Sequence, residues 1–185
     1  LTAEPGVIAL EEWAEDGPGG YGLLIRPSGA PRSIVGDGAG ITVIKLHGAD
    51  RVTIDGSVDG LGTDRSLTIR NPTTLGGAVM WIGSLGPGAG CRDVTIRNTV
   101  IEGNVAASSY NFGLYVGSTS GAVDGPGNDN LTLENCQIRR VTFGLQLFGA
   151  PGVPIQNTNI LDNLFGEPVA GDGIDSSAVT LGQAT

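Results

Sequence analysis

Positive charge is scarce in this chain. Ten Lys and Arg residues stand against nineteen Asp and Glu, leaving a net charge of −9. A nucleic-acid footprint is a basic patch or stripe, and none is present, so nucleic acid is excluded as a partner. Long apolar runs are also missing. No stretch approaches the ~20 apolar residues of a membrane-spanning helix, and no membrane insertion is expected. No apolar pattern persists at helical spacing, which excludes a helical repeat. No G-X-Y period exists, which excludes collagen. There are two cysteines, too few to define a redox compartment, one His, and only 5% aromatic residues. The chain opens at Leu1 with neither an initiator Met nor a secretory signal, so a processed chain or part of a longer protein is expected.

What is abundant is turn chemistry. The 185 residues include 32 Gly, and Asn, Asp, Ser and Thr fill much of the rest between short apolar runs. That composition predicts many short strands within one domain. Residues 1–20 read as an N-terminal entering or capping segment in which Val7 to Ala14 is either a helical turn or an incoming strand. Residues 21–185 carry the repeat. Candidate first strands are Ile41 to Gly48, Ala78 to Gly83, Phe112 to Gly117, Phe143 to Gly149 and a partial Gly173 to Ser177. Candidate second strands are Arg51 to Gly56, Asp93 to Asn98, Asn130 to Asn135 and Pro154 to Asn157. Candidate third strands are Ser66 to Asn71, Val100-Ile101, Gln137-Ile138 and Asn159-Ile160. First strands recur about every 30 to 37 residues, a period that marks solenoids, propellers or arrays. Three strands per unit, not the four of a propeller blade, with length varying only between strands, predict an all-β, right-handed parallel β-helix solenoid of about five coils.

Stacking then assigns faces, because successive side chains of a strand alternate. The inward columns of the first strands are Thr42, Ala78, Phe112 and Phe143; then Ile44, Met80, Leu114, Leu145 and Ile174; then Leu46, Ile82, Val116, Leu147 and Ser176. In the second strands Val52, Val94 and Leu131 stack inward, followed by Ile54, Ile96 and Leu133. Asn98, Asn135 and Asn157 form a ladder at the bend, with Asn71 ending a third strand. Arg97 and Glu134 share an outward column and read as an ion pair.

The motifs VTIDG, LTIRN, VTIRNTVIEGN, FGLYVG and LTLENCQI over residues 21–177 resemble the pectin-lyase-like right-handed β-helix superfamily. The run IKLHGADRVTIDG through AVMWIGS is similar to β-helix segments of large secreted bacterial surface proteins. The resemblance implies a parallel β-helix and an extracellular or cell-surface location. It also brings two chemistries into view. Polysaccharide lyases of the superfamily use acidic calcium ligands with a basic proton abstractor, and its glycosidases use clustered Asp residues.

A ligand-binding candidate follows from the outward column of the first strands: Lys45, Trp81, Tyr115, Gln146 and Asp175. Trp and Tyr on adjacent coils, about 4.8 Å apart, offer stacking surface for sugar rings. The column carries one carboxylate where glycoside hydrolysis needs two, so no catalytic set is assigned. His47 has no evident partner and reads as a surface side chain. The loops Asp55 to Asp64 and Asp124 to Asn130 hold the densest acids. Calcium takes such hard oxygens, with Asp124 and Asp129 the candidate ligands, although Asp and Gly are equally ordinary turn formers. Cys91 and Cys136 occupy non-equivalent positions and are expected as free thiols, Cys136 semi-buried. The expected function is a non-catalytic structural, adhesive or assembly module, associating with itself end to end or with further coils. A polysaccharide-binding or polysaccharide-cleaving module is the alternative. An open solenoid end needs a cap, and Ser176 to Thr185 shows no strong one.

Overall fold

The computed structural model describes residues 8–12, 20–36, 42–104, 110–120, 125–166 and 174–182. Its architecture is a parallel β-solenoid of three sheets. The first sheet is built from β1 (Ile8–Glu11), β4 (Thr42–His47), β7 (Gly77–Ser84), β10 (Asn111–Ser118), β13 (Val141–Phe148) and β16 (Ile174–Gly182), paired in that order. The second stacks β2 (Leu23–Ile25), β5 (Val52–Asp55), β8 (Val94–Arg97), β11 (Leu131–Glu134) and β14 (Asn159–Leu161). The third stacks β3 (Arg32–Val35), β6 (Leu67–Arg70), β9 (Thr99–Glu102), β12 (Gln137–Arg139) and β15 (Leu164–Phe165). Four complete coils, β4 to β15, are bracketed by the shorter set β1–β3 and by β16. The sequence reading of about five coils is therefore close, with four full coils and partial ones at the ends. Residues 8–11 form the incoming strand rather than a helical turn, pairing Leu10 with Leu46.

The core is a set of apolar columns along the axis. Leu46, Ile82, Val116 and Leu147 stack in register and are at most 2% exposed. Val52, Val94 and Leu131 form a second column, and Ile54, Ile96 and Leu133 a third. The third sheet adds Ile69, Ile101 and Ile138. Burying one such side chain stabilises by roughly 1.5–3 kcal/mol, so repetition of the column is what holds coil on coil.

One expected inward column holds only in part: Thr42 and Ala78 are buried as expected, but Phe112 and Phe143 stack on each other with centroids 5.3 Å apart, half-buried and outside the contiguous core. Gly113 and Gly144 take the inward place instead: a Cβ on Gly113 would sit 2.4 Å from Ile138 Cγ2. Inward residues are consecutive there (Val43-Ile44, Val79-Met80). Two strand assignments also shift. Asn159–Leu161 pairs with Thr132–Glu134 and so belongs to the second sheet, and Leu164–Phe165 supplies the third. Pro154 to Asn157 forms no strand.

The corners carry two side-chain ladders. At the bend after the second strands, Asn98 Nδ2 donates to Asp55 Oδ1 at 2.9 Å and Asn135 Nδ2 to Asn98 Oδ1 at 2.8 Å. At the bend before those strands, Asn130 Nδ2 donates to Asp93 Oδ1 at 2.7 Å and Asn157 Nδ2 to Asn130 Oδ1 at 2.9 Å. All these bend residues except Asp55 lie in the left-handed region, φ 47° to 57°, where Asn and Asp are the most tolerant side-chain-bearing residues. Asn157 thus belongs to the other ladder from Asn98 and Asn135. Asn71 sits at the third corner and donates to Ala78 O.

Candidate functional site

The outer face of the first sheet brings four of the five expected ligand-binding residues into one column. Lys45 pairs with Trp81, Trp81 with Tyr115, and Tyr115 with Gln146. The fifth position is Thr180, not Asp175. The register slips between Val141 and Phe143, so that Ile174 lies beside Val141 and the strand runs five residues further than expected. Asp175 is thereby removed from the column.

The column is occupied by the protein itself. The rings of Trp81 and Tyr115 meet edge to face with centroids 4.9 Å apart, a favoured aromatic geometry. Tyr115 also packs against Phe112 at 5.7 Å and Phe148 at 6.0 Å. Lys45 Nζ lies 4.9 Å from the centroid of the Trp81 ring, a cation–π contact. After β10 the chain folds back over this face. Its carbonyls at Ser118 and Thr119 accept from Trp81 Nε1 and Lys45 Nζ, each at 2.8 Å. Gly125 returns against Gly117, donating its N–H to Phe148 O at 2.9 Å. Tyr115 is left 1% exposed and Gln146 8%. Gly117 is required here: a Cβ would stand 2.4 Å from Tyr115 Oη.

His47 has a partner that sequence reasoning missed. Its Nδ1 lies 2.7 Å from Glu11 Oε2, tying β1 to β4. The signal was the pairing of residues 8–11 with 44–47, hidden because that segment read equally as a helical turn.

A second polar region lies at the bend between the second and third sheets. Asp55 is 2% exposed and accepts from Ser57, Asn98 and Arg97, the Arg97 Nη2 contact being 2.8 Å. Burial pushes its carboxyl up, but the hydrogen bonds from Asn98, Ser57 and Arg97 outweigh that and hold it below the usual carboxylate range. Arg97 is in register with Glu134, as expected, yet its ion pair goes to Asp55 in the preceding coil. The segment from Gly56 to Ser66 runs lengthwise over this bend. Arg65 reaches two coils on, donating from Nε to Asn135 O and from Nη2 to Asn135 Oδ1, both at 2.8 Å. Between strap and stack is a groove of about 370 Å³, floored by Asp55, Arg97 and Glu134. On the third sheet Glu102 is held between Arg70 at 3.2 Å and Arg139 at 2.7 Å.

Of the candidate calcium ligands, Asp124 lies outside the described residues. Asp129 spends Oδ1 on the backbone N–H of Gln156 at 2.9 Å. Among the described residues no three His, Cys, Asp or Glu side chains converge as a metal site. Cys91 and Cys136 are free and both buried, Cys136 fully so rather than half. Burial pushes each thiol up to about 12.

No protein-family model, no curated protein and no solved structure matches the chain.

Proposed function

We propose that the chain is a non-catalytic β-helix module of the pectin-lyase-like kind, secreted or displayed at a cell surface, with a structural, adhesive or assembly role. One observation carries the reading. The first-sheet face that would offer sugar rings a stacking surface spends its functional groups on its own chain, with Trp81 Nε1 given to the last carbonyl of β10, Lys45 Nζ to the carbonyl that follows it, and Tyr115 buried beside them. The superfamily and extracellular assignments rest on the repeat motifs and their agreement with a three-sheet parallel stack. A scaffold needs what this stack has in quantity: apolar columns, ladders at the bends, and ion pairs spanning coils.

The test is incubation with a panel of acidic and neutral polysaccharides, with and without calcium. Unsaturated products are followed by ultraviolet absorbance and new reducing ends by colorimetry. The proposal predicts neither. Turnover abolished by Lys45→Ala, or binding lost on Trp81→Ala, would instead establish a carbohydrate-active module on this face.

A further inference from the structure

We infer that the strap, residues 57–65, is an axial clasp that makes four successive rungs of the solenoid open together rather than one at a time. The clasp deepens the structural reading above, giving that module a device against being peeled apart along its axis. It is carried first by the length of one bend. Between the second and third sheets the chain turns with one residue between β8 and β9, and with two between β11 and β12 and between β14 and β15. Between β5 and β6 it takes eleven, residues 56–66. Yet Asp55 still pairs with Arg97 and Leu67 with Thr99, so the eleven stand where Asn98 alone serves the next coil. The bend closes beneath the excess: Gly56 donates its N–H to Arg97 O and Ser66 to Gly56 O, each at 2.9 Å. Residues 57–65 are therefore an excursion that the turn itself does not need.

The two ends of the excursion are fixed to rungs that do not pair with each other. Asp59 holds the connection between β2 and β3, in the set before. Its N–H donates to Pro27 O at 3.0 Å, its carboxylate accepts from the Gly29 N–H at 3.2 Å, and its carbonyl accepts from Arg26 Nη1 at 3.0 Å. Arg65 and Thr63 hold Asn135, two coils ahead. Arg65 donates from Nε and Nη2, both at 2.8 Å, and Thr63 O accepts from Asn135 Nδ2 at 2.7 Å. The reach is three strand spacings, about 14 Å. The middle is not packed down: Leu61 is 87% exposed, and the groove described above is lined by Gly60 to Thr63 on the strap side. The strap is tethered at its feet.

In the three sheets each strand pairs only with the rung before and the rung after, and the stability of such a stack is a sum of neighbour terms. The strap adds bonds between rungs that share no pairing. With both feet attached, neither the β2–β3 set nor the β11–β12 bend separates from the coil between them without loosening a foot. With one foot released, the strap is held at one end and restrains neither.

The experiment is native-state hydrogen exchange, read by mass spectrometry on peptides covering residues 23–35 and 131–139, for wild type, Asp59→Gly, Arg65→Ala and the double variant. Glycine at 59 adopts the φ of 55° freely. Arg65→Lys, which retains the charge and a donor, stands in if circular dichroism shows Arg65→Ala unfolded. Each substitution should speed exchange at the far end of the strap by about fivefold, the scale of one net hydrogen bond: Arg65→Ala in residues 23–35, and Asp59→Gly in residues 131–139. Losses by denaturant unfolding should not add. The double variant should lose little more than the worse single one, whereas independent sites add. Acceleration confined to the substituted end, or additive losses, overturns the clasp and leaves the structural reading standing. Glycan turnover defeats the structural reading and is scored separately.

Discussion

Asn135 donates its side-chain amide to the side-chain oxygen of Asn98 across 2.8 Å, one coil to the next, while both backbones sit in the left-handed region. The same Asn135 amide also reaches Thr63 O at 2.7 Å, and its oxygen receives Arg65 at 2.8 Å. One residue thus turns the chain, joins two coils and anchors the strap laid over them.

Replacing it separates these roles. Asn135→Ala loses three side-chain hydrogen bonds and leaves at φ 47° a residue that tolerates the left-handed region less well than Asn. At ~0.5–1.5 kcal/mol per bond and ~1 kcal/mol of backbone strain, the expected loss is about 2.5–5.5 kcal/mol by denaturant unfolding. Asn135→Gly should recover about 1 kcal/mol of that, because Gly enters this region freely. Equal losses for the two variants would show that backbone strain contributes nothing.

Gly113→Ala tests which residue faces the core at the start of β10. The new methyl would meet Ile138 Cγ2 at 2.4 Å, and overpacking of this kind costs roughly 1–3 kcal/mol. Phe112→Ala should cost less than the ~3–5 kcal/mol of a core Phe, since Phe112 lies outside. A neutral Gly113→Ala with a full core penalty at Phe112 would reverse the assignment.

Acid should act through Asp55. Its carboxyl is held below the ordinary range in the folded state, so the stabilisation is complete above the unfolded value near ~4 and is lost as pH falls through the lowered folded value. Stability of wild type, measured by denaturant midpoint, should fall from about pH 4 downward. Asp55→Asn should be less stable at neutral pH and flatter across that acid window. An unchanged slope in Asp55→Asn would remove Asp55 as a source of the acid sensitivity.

Both thiols should be silent in the folded protein. Cys91 and Cys136 are 1% and 0% exposed, with their titration pushed up to about 12, and the thiolate is the reactive form. Native protein should take up no iodoacetamide at pH 8, and unfolded protein should take up two equivalents. A change of two hydrogens in mass on reduction would instead reveal a disulfide.

The interior was largely legible in the sequence because its signal is periodic. VTI, LTI and LTL triplets alternate apolar and polar, and Val52, Val94 and Leu131 fell into register as expected. Legibility failed where a residue lacks the side chain that pattern reading uses. Gly113 is inward but carries no apolar atom, so Phe112 was given its place. It failed again where apolar residues recur at a short offset: Ile174 mimics the start of the column that Val179 occupies, which placed Asp175 opposite Gln146 in error. Asn157 resembles Asn98 by type, and only the shift of the second-sheet strand to Asn159–Leu161 puts it on the other ladder. The outer face was read correctly as a Lys45–Trp81–Tyr115–Gln146 column. Its closure was not readable, because the covering contacts are backbone carbonyls of Ser118 and Thr119, which any sequence supplies.

The claim that this face is closed can be measured at Trp81 itself. The chain has two tryptophans, and Trp13→Phe leaves Trp81 as the sole reporter. Its emission should not move on titration with acidic or neutral oligosaccharides to millimolar concentration, and Lys45→Ala or Ser118→Gly should leave that insensitivity intact. A saturable shift in Trp81 emission on adding an oligosaccharide would show an open sugar-binding face and contradict the account.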